Sequence, residues 1–378
     1  MRSLLAPATV LAFFVVLFAV PASAAQGEGP RHAFIVVLDD SVGRAAPVAA
    51  EHSQRFGSDV QYVYEHALKG YAGMFSEGQL GALLADDRVA YVEPDGLVRI
   101  VAQTLPWGID KIDADISSTK AGDGTGAITN VNVYIIDTGV DTGHADLTVV
   151  GHVNFATGPN KDCHGHGTHV AGTVAAEDNT QDVVGVAPGA PITGVKVLGC
   201  GGSGSTSGVI KGIDWVTANA KKPAIANMSL GGGASTALDD AVKNSANSGV
   251  FYAVAAGNSG ADACNYSPAR AGTHNGVTTV AATDSNDNEA SFSNFGNCVD
   301  IWAPGVSVLS TRKGGGTTTF SGTSMASPHV GGGGALYLSK NTGSSPATVE
   351  SALKSAATNT GKLSKDSRTI TREYVGGF

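Results

Sequence analysis

"VNVYIIDTGVDTGH", residues Val131 to His144, decides how the rest of the chain is read. A β-branched apolar run with almost no polar interruption ends at Asp137, the pattern of a strand buried on both faces of a parallel sheet. In open α/β sheets, the carboxyl ends of such strands are where ligands bind. The triplet Asp-Thr-Gly occurs here twice, at residues 137–139 and 141–143. An aspartic protease uses two such triplets to make two carboxylates share one proton. Triplets this close in one segment cannot meet from separate lobes, so Asp137 needs other partners and Asp141 reads as a turn residue.

The same texture continues downstream. "ITGVKVL", "AIANMSLG", "VFYAVAAG" and "VTTVAA" are strand-like, and they alternate with the helical stretches "HGTHVAGTVAA", "TSGVIKGIDWVTANA" and "TALDDAVKNSANS". Alternation of this kind predicts an α/β fold, a three-layer sandwich with a mostly parallel central sheet. Upstream, "AFIVVL", "VQYVYEHAL" and "VAYVEPDGLVRI" flank two helical stretches and predict a small α+β unit of roughly 70 residues. The texture changes near Val101. Residues 1–25 carry Arg2, an apolar run peaking at Val10 to Val20, and the small residues Ala22 to Ala25, the layout of a cleaved secretory signal. The chain therefore divides into a signal peptide (1–25), a small domain (26–101) and a large one (102–378), and the mature protein is expected to be secreted, extracellular and without a membrane anchor.

Secretion favours disulfides, and four cysteines, Cys163, Cys200, Cys264 and Cys298, allow three pairings. Sequential pairing would close two loops of about 35 residues, each worth about 3 to 4 kcal/mol. The formal charge of −9 argues against nucleic acid or an acidic membrane surface as the main partner.

Three segments carry candidate chemistry: "DTGVD" with Asp137, "DCHGHGTHVAGT" with His164, His166 and His169, and "SGTSMASPHV" with Ser324. A serine hydroxyl becomes a nucleophile when an imidazole takes its proton, and a carboxylate fixes that imidazole's tautomer and steadies its positive charge. The chain order Asp, His, Ser differs from that of chymotrypsin-like and α/β-hydrolase enzymes and matches that of subtilisin. A dense histidine cluster is also a zinc pattern, but the helical His-Glu-x-x-His spacing is missing.

On these segments the chain resembles the subtilisin-like serine proteases, and within them the proteinase K group with its aqualysin-like members. The likeness runs from about Trp107 to the last helical stretch, and residues 32–100 resemble the family's ferredoxin-like propeptide, an intramolecular inhibitor and folding chaperone. The resemblance implies Asp137 as triad carboxylate, His166 as general base, Ser324 as nucleophile and Asn258, in "VAAGNS", as the oxyanion donor. It implies that Gly202-Ser203-Gly204 and Ser229-Leu230-Gly231 pair with extended substrate, and that Ala255, Ala256 and Gly257 help line the primary pocket. No charge in that pocket implies apolar or aromatic preference before the scissile bond. It further implies structural calcium at Asp300 and at Asp110 with Asp113, no organic cofactor, protein or peptide substrates, a monomer, and self-processing near Val101 to Gln103.

One departure stands out. After His329 the chain reads "VGGGGALYL", and each glycine in a helix costs about 1 kcal/mol relative to alanine. A helix loosened there would misplace the nucleophile at its head, giving the alternative of a catalytically impaired secreted protein on the same fold.

Overall fold

The computed structural model describes residues 29–95 and 103–378, as two compact units that divide between Arg99 and Ile100. The leader over residues 1–25 and the processing region at Val101 lie outside the described residues.

The first unit runs β1 (Arg31–Leu38), α1 (Ala45–Phe56), β2 (Val60–Tyr64), β3 (Gly70–Ser76), α2 (Glu77–Leu84) and β4 (Val89–Pro94). Its antiparallel sheet has the order β2-β3-β1-β4, the ferredoxin-like layout that the resemblance to the family's propeptide implies. Val36, Val48, Tyr71, Phe75 and Leu83 form its core between sheet and helices. Helix α2 starts where the Gln79 side chain reaches back to accept from the Ser76 N–H at 3.0 Å, satisfying a donor the helix cannot.

The second unit begins with α3 (Trp107–Lys111), β5 (Asn132–Asp137), β6 (Val149–Asn154), α4 (His166–Ala175), β7 (Ile192–Lys196), α5 (Thr206–Asn219) and β8 (Ala224–Met228). It continues with β9 (Gly232–Gly233), α6 (Thr236–Asn247), β10 (Val250–Ala255), β11 (Tyr266–Ser267), β12 (Val277–Thr283), β13 (Ile301–Pro304), and the hairpin β14 (Val308–Thr311) and β15 (Thr317–Phe320). Helices α7 (Thr323–Lys340) and α8 (Pro346–Ala356) and strands β16 (Thr358–Leu363) and β17 (Thr369–Arg372) complete it. Nine strands form one sheet, β16-β17-β13-β12-β10-β8-β5-β7-β6, parallel except for the edge strand β16.

Successive residues of a strand point to opposite faces, and here both faces are covered. Val133 and Ile135 of β5 pack with Val170 and Val174 of α4 and Val330 of α7. Tyr134 and Ile136 of the same strand pack with Ile213 of α5 and Val242 of α6. Two buried faces explain why β5 reads as a continuous apolar run. The sheet's carboxyl edge brings Asp137, the end of β7 and the end of β8 to one side, where the head of α4 begins.

The glycines after His329 do not break α7, which runs unbroken for 18 residues. They lie where it touches its neighbours: a Cβ on Gly332 would come within 3.0 Å of Val186 Cγ1, and one on Gly334 within 2.7 Å of the Phe251 ring. Close packing of the helix against its neighbours at Gly332 and Gly334, rather than looseness, is what these residues supply.

Candidate active site

Asp137 is the last residue of β5 and is fully buried. Its Oδ1 accepts from the Thr138 N–H at 2.7 Å and from His166 Nδ1 at 2.8 Å. A carboxylate can only accept, so Nδ1 carries the proton and Nε2 is left with its lone pair. His166 is the first residue of α4, whose start is forced close to the strand end. A Cβ on Gly167 would lie 3.2 Å from Asp137 Cβ and collide with the Gly139 carbonyl, so only glycine permits this approach. Burial acts to lower the basicity of His166, but the charge and hydrogen bond of Asp137, with a further pull from Asp162, hold its pKa above the ordinary 6.5.

Ser324 is the second residue of α7, where the first backbone N–H groups have no partner within the helix and the helix dipole is positive. Pro328 lacks an N–H and cannot bond the Ser324 carbonyl four residues back. That carbonyl instead accepts from Ser229 Oγ at 2.7 Å. Asn227 Nδ2 donates to the same Ser229 hydroxyl at 2.9 Å, and Ser327 Oγ donates to Asn227 Oδ1 at 2.7 Å, so the head of α7 is pinned to the end of β8. The Ser324 hydroxyl donates to the Ser229 carbonyl at 3.1 Å. Asn258 Oδ1 accepts from the N–H and the hydroxyl of Thr323, at 2.8 and 2.9 Å. Those two bonds orient the amide and turn its NH2 away from Thr323.

His166 and Ser324 line one cleft of about 470 Å³ together with Gly202, Ser203, Gly204, Ser229, Leu230 and Gly231. A second hollow of about 280 Å³ shares Ser324, Leu230 and Gly231 and adds Ala255, Ala256, Gly257 and Asn258, with Tyr266 on its wall. Among the described residues, the titratable side chains lining the two hollows are His164, His166 and Tyr266. The cysteines pair sequentially, Cys163 with Cys200 and Cys264 with Cys298. The first bridge ties the turn before His166 to the segment Gly202 to Gly204.

A family model described as the subtilase family matches residues 129–372, and one described as peptidase inhibitor I9 matches residues 33–101. The chain belongs to the subtilase family. It is a serine peptidase of that family with an I9 inhibitor domain ahead of the peptidase unit. The extracellular serine proteinase of a Thermus species is 47% identical over 315 residues, 80% of this chain and 74% of that protein. Alkaline serine exoprotease A of Vibrio alginolyticus is 46% identical over 325 residues, 82% of this chain, and the match spans 58% of that longer protein. The solved structure of a cold adapted subtilisin-like serine proteinase, 45% identical, aligns with a TM-score of 0.63 over 72% of this chain and 97% of its own.

The remaining expected residues of this subtilase are spread more widely. His169 is fully buried, stacks on Phe320 with ring centroids 4.6 Å apart, and bonds the Val308 carbonyl through Nε2; burial pushes its pKa down to about 4. His164 lines the cleft. Asp141 accepts from Gly143 and Gly314 N–H groups, as a turn residue does. Asp300 does not fit a calcium ligand: its Oδ1 holds the Lys354 ammonium at 2.8 Å, its Oδ2 accepts from the Thr279 N–H at 2.9 Å, and Glu350 shares the same ammonium at 3.2 Å. Lysine supplies the positive charge there. Asp110 is exposed, and Asp113 sits in a left-handed turn where burial and the nearby charges of Asp115 and Asp110 raise its pKa.

Sequence reasoning missed an oxygen nest. Gln103 Nε2 lies 2.6 Å from the Glu177 carbonyl, 3.0 Å from that of Val183, 3.3 Å from that of Gln181 and 3.5 Å from Asn179 Oδ1. An amide has two N–H bonds for these four acceptors, and Gln103 Oε1 is buried without a partner among the described residues. Beside them the fully buried Asp146 accepts from Asn179 Nδ2 and the Val183 N–H, and burial pushes its carboxyl up to about 7. Converging carbonyl, amide and carboxylate oxygens are the donor set of calcium. Turning the Gln103 amide over would add its oxygen to the set.

Proposed function

We propose that this chain is a secreted endopeptidase that hydrolyses peptide bonds through an acyl-enzyme on Ser324. The observation that carries the reading is the buried Asp137 fixing the Nδ1–H tautomer of His166 beside a cleft that Ser324 also lines. Rotation of the Ser324 hydroxyl from the Ser229 carbonyl toward His166 Nε2 starts the reaction. His166 takes the proton as Ser324 attacks the peptide carbonyl, and Asp137 stabilises the imidazolium. The oxyanion is received by the Asn258 NH2 and the Ser324 N–H at the head of α7. His166 then protonates the leaving amine, and water repeats the sequence to release the acid.

The segments around Ser203 and Leu230 hold the substrate as an extended strand, through main-chain bonds that small residues allow. The uncharged hollow beside Ala255 to Gly257 favours an apolar or aromatic side chain before the scissile bond. The I9 domain acts as intramolecular inhibitor until the chain cuts itself near Val101 to Gln103. Gln103, Glu177, Asn179, Gln181, Val183 and Asp146 hold a structural calcium, which neutralises converging oxygens and fastens the mature N-terminal segment. Asp110 and Asp113 would take a second one.

Mass spectrometry of the secreted wild type beside Ser324→Ala, with a fluorophosphonate probe, tests this. A new N-terminus near Val101 in the wild type alone, with the probe on Ser324, is the expected result. An uncut, unlabelled wild type overturns it.

A further inference from the structure

Asp162 stands four residues before His166, is almost fully buried, and touches neither the cleft nor the reacting groups in the proposed reaction. Its Oδ1 accepts from the Thr138 hydroxyl at 3.0 Å and from the N–H groups of His164 and Gly165 at 2.9 and 2.8 Å. Its Oδ2 accepts from the Thr168 N–H at 3.0 Å and the Thr168 hydroxyl at 2.6 Å. One carboxylate thus binds the residue after Asp137, the turn before His166, and the first turn of α4. The cap position of that helix is Gly165, which has no side chain to satisfy the helix's free N–H groups. Asp162 does so from upstream, with its negative charge at the positive end of the helix.

The connection closes on the strand side. Thr138, held through its hydroxyl by Asp162, accepts there from the Gly167 N–H at 2.9 Å and donates its own N–H to Asp137. Lys196, fully buried at the end of β7, donates to the Thr138 and Leu198 carbonyls at 2.7 and 2.8 Å. Burial lowers its pKa, and the charges of Asp162 and Asp137 oppose that loss. Buried carboxylates are tolerated when fully hydrogen-bonded or balanced by a nearby cation. Asp162 has both.

We propose that Asp162 is a positioning residue of this peptidase: it fixes the register between the strand end carrying Asp137 and the helix carrying His166, with Lys196 as its buried counter-charge. The inference rests on the catalytic reading above. The groups facing His166 are Asp137 from β5, Asp162 and His164 from the turn before α4, and His169 one turn along it; Lys196 on β7 and Lys313 in the β14–β15 hairpin bond to the adjoining backbone. Removing the Asp162 charge lowers the His166 pKa, and removing its bonds lets α4 drift from Asp137.

The test compares wild type with Asp162→Asn, counting active sites by fluorophosphonate titration. Expected are a kcat per titrated site lowered about 10- to 100-fold, as for small misplacements of catalytic groups, a smaller change in KM, and an acid limb of kcat/KM moved to lower pH. A merely structural role would reduce the number of titratable sites and leave kcat per site and the acid limb alone, which overturns the inference. Should Asp162→Asn fail to mature, Thr168→Val and Thr168→Ser decide. Loss of kcat in the valine variant with recovery in the serine one supports the clamp, and equal kcat in both overturns it. A wild type that does not label Ser324 refutes the catalytic reading itself.

Discussion

Glu373 Oε1 occupies the space that a side chain at Gly333 would need, so the buried acid and the glycine define one another. Glu373 is fully buried and neither carboxyl oxygen has a hydrogen-bond partner among the described residues. Burial raises its pKa well above the ordinary 4.5. Below that ordinary value the group is protonated in folded and unfolded chains alike. As pH rises toward the folded-state value, ionisation favours the unfolded chain, and native stability falls.

Glu373→Gln keeps the shape and cannot ionise. In a Ser324→Ala background, which prevents self-digestion, the glutamine variant's melting temperature should exceed that of its parent by a margin that grows from pH 5 to pH 9. Parallel curves across that range would show that Glu373 does not titrate in the folded protein.

The four glycines of α7 make opposite predictions according to what each touches. A Cβ on Gly331 meets its nearest atoms at 3.6 Å, an ordinary contact, so Gly331→Ala should stabilise by up to about 1 kcal/mol through helix propensity. Gly332→Ala and Gly334→Ala drive a methyl into Val186 and Phe251 and should destabilise by about 1 to 3 kcal/mol, propensity notwithstanding. Denaturant titrations of the three variants in the same background measure both signs. A common sign for all three would mean that propensity, or packing, acts alone.

What was legible in the sequence follows from where the information lies. Asp137, His166 and Ser324 each sit in a contiguous motif, because each stands at the end of one element whose local geometry needs particular neighbours, such as Gly167 beneath the Asp137 strand end. The sheet was legible because both faces are buried, which leaves an unbroken apolar run. The partner of Asp300 was not, since Lys354 lies 54 residues further on and only the fold brings it to 2.8 Å. The glycines of α7 were misjudged because propensity describes a helix alone, while Val186, Phe251 and Glu373 come from distant segments. The oxygen nest left almost no trace, because three of its oxygens are main-chain carbonyls that any residue type could offer. Its sequence signal was the polar loop "EDNTQD" directly after α4, together with Gln103 just past the domain boundary.

With His166 as the proposed general base, the pH dependence of catalysis is set by its environment. Its raised pKa means that the base form is lost as pH falls through a value above 6.5, so kcat/KM should fall there with an acid limb of unit slope. Asp137→Asn removes the charge that holds the pKa up and no longer enforces the tautomer. Its acid limb should move to lower pH while turnover drops about 10⁴-fold, as in other serine proteases. Asn258→Ala should lower turnover about 100- to 1000-fold, the loss known for the oxyanion asparagine of subtilisin, with no shift of the limb. A limb that moves in the Asn258 variant would mean that this amide acts on His166 as well as on the oxyanion.

Calcium dependence distinguishes the oxygen nest from Asp300. A cation bound only to the folded protein stabilises it by about 2.7 kcal/mol when free calcium is 100 times its dissociation constant, so a chelator should lower the melting temperature of the wild type. In Gln103→Ala or Asn179→Ala the nest loses one of the oxygens proposed to bind calcium, and the melting temperature should start lower and respond less to the chelator. Asp300→Asn should lower the starting temperature, because Lys354 is left paired only with Glu350, yet keep the full chelator response. Metal analysis of the purified Ser324→Ala proteins gives a second readout: one calcium fewer in the Gln103 variant and none fewer in the Asp300 variant. The reverse pattern would return calcium to Asp300 and make the Lys354 contact an arrangement the metal displaces.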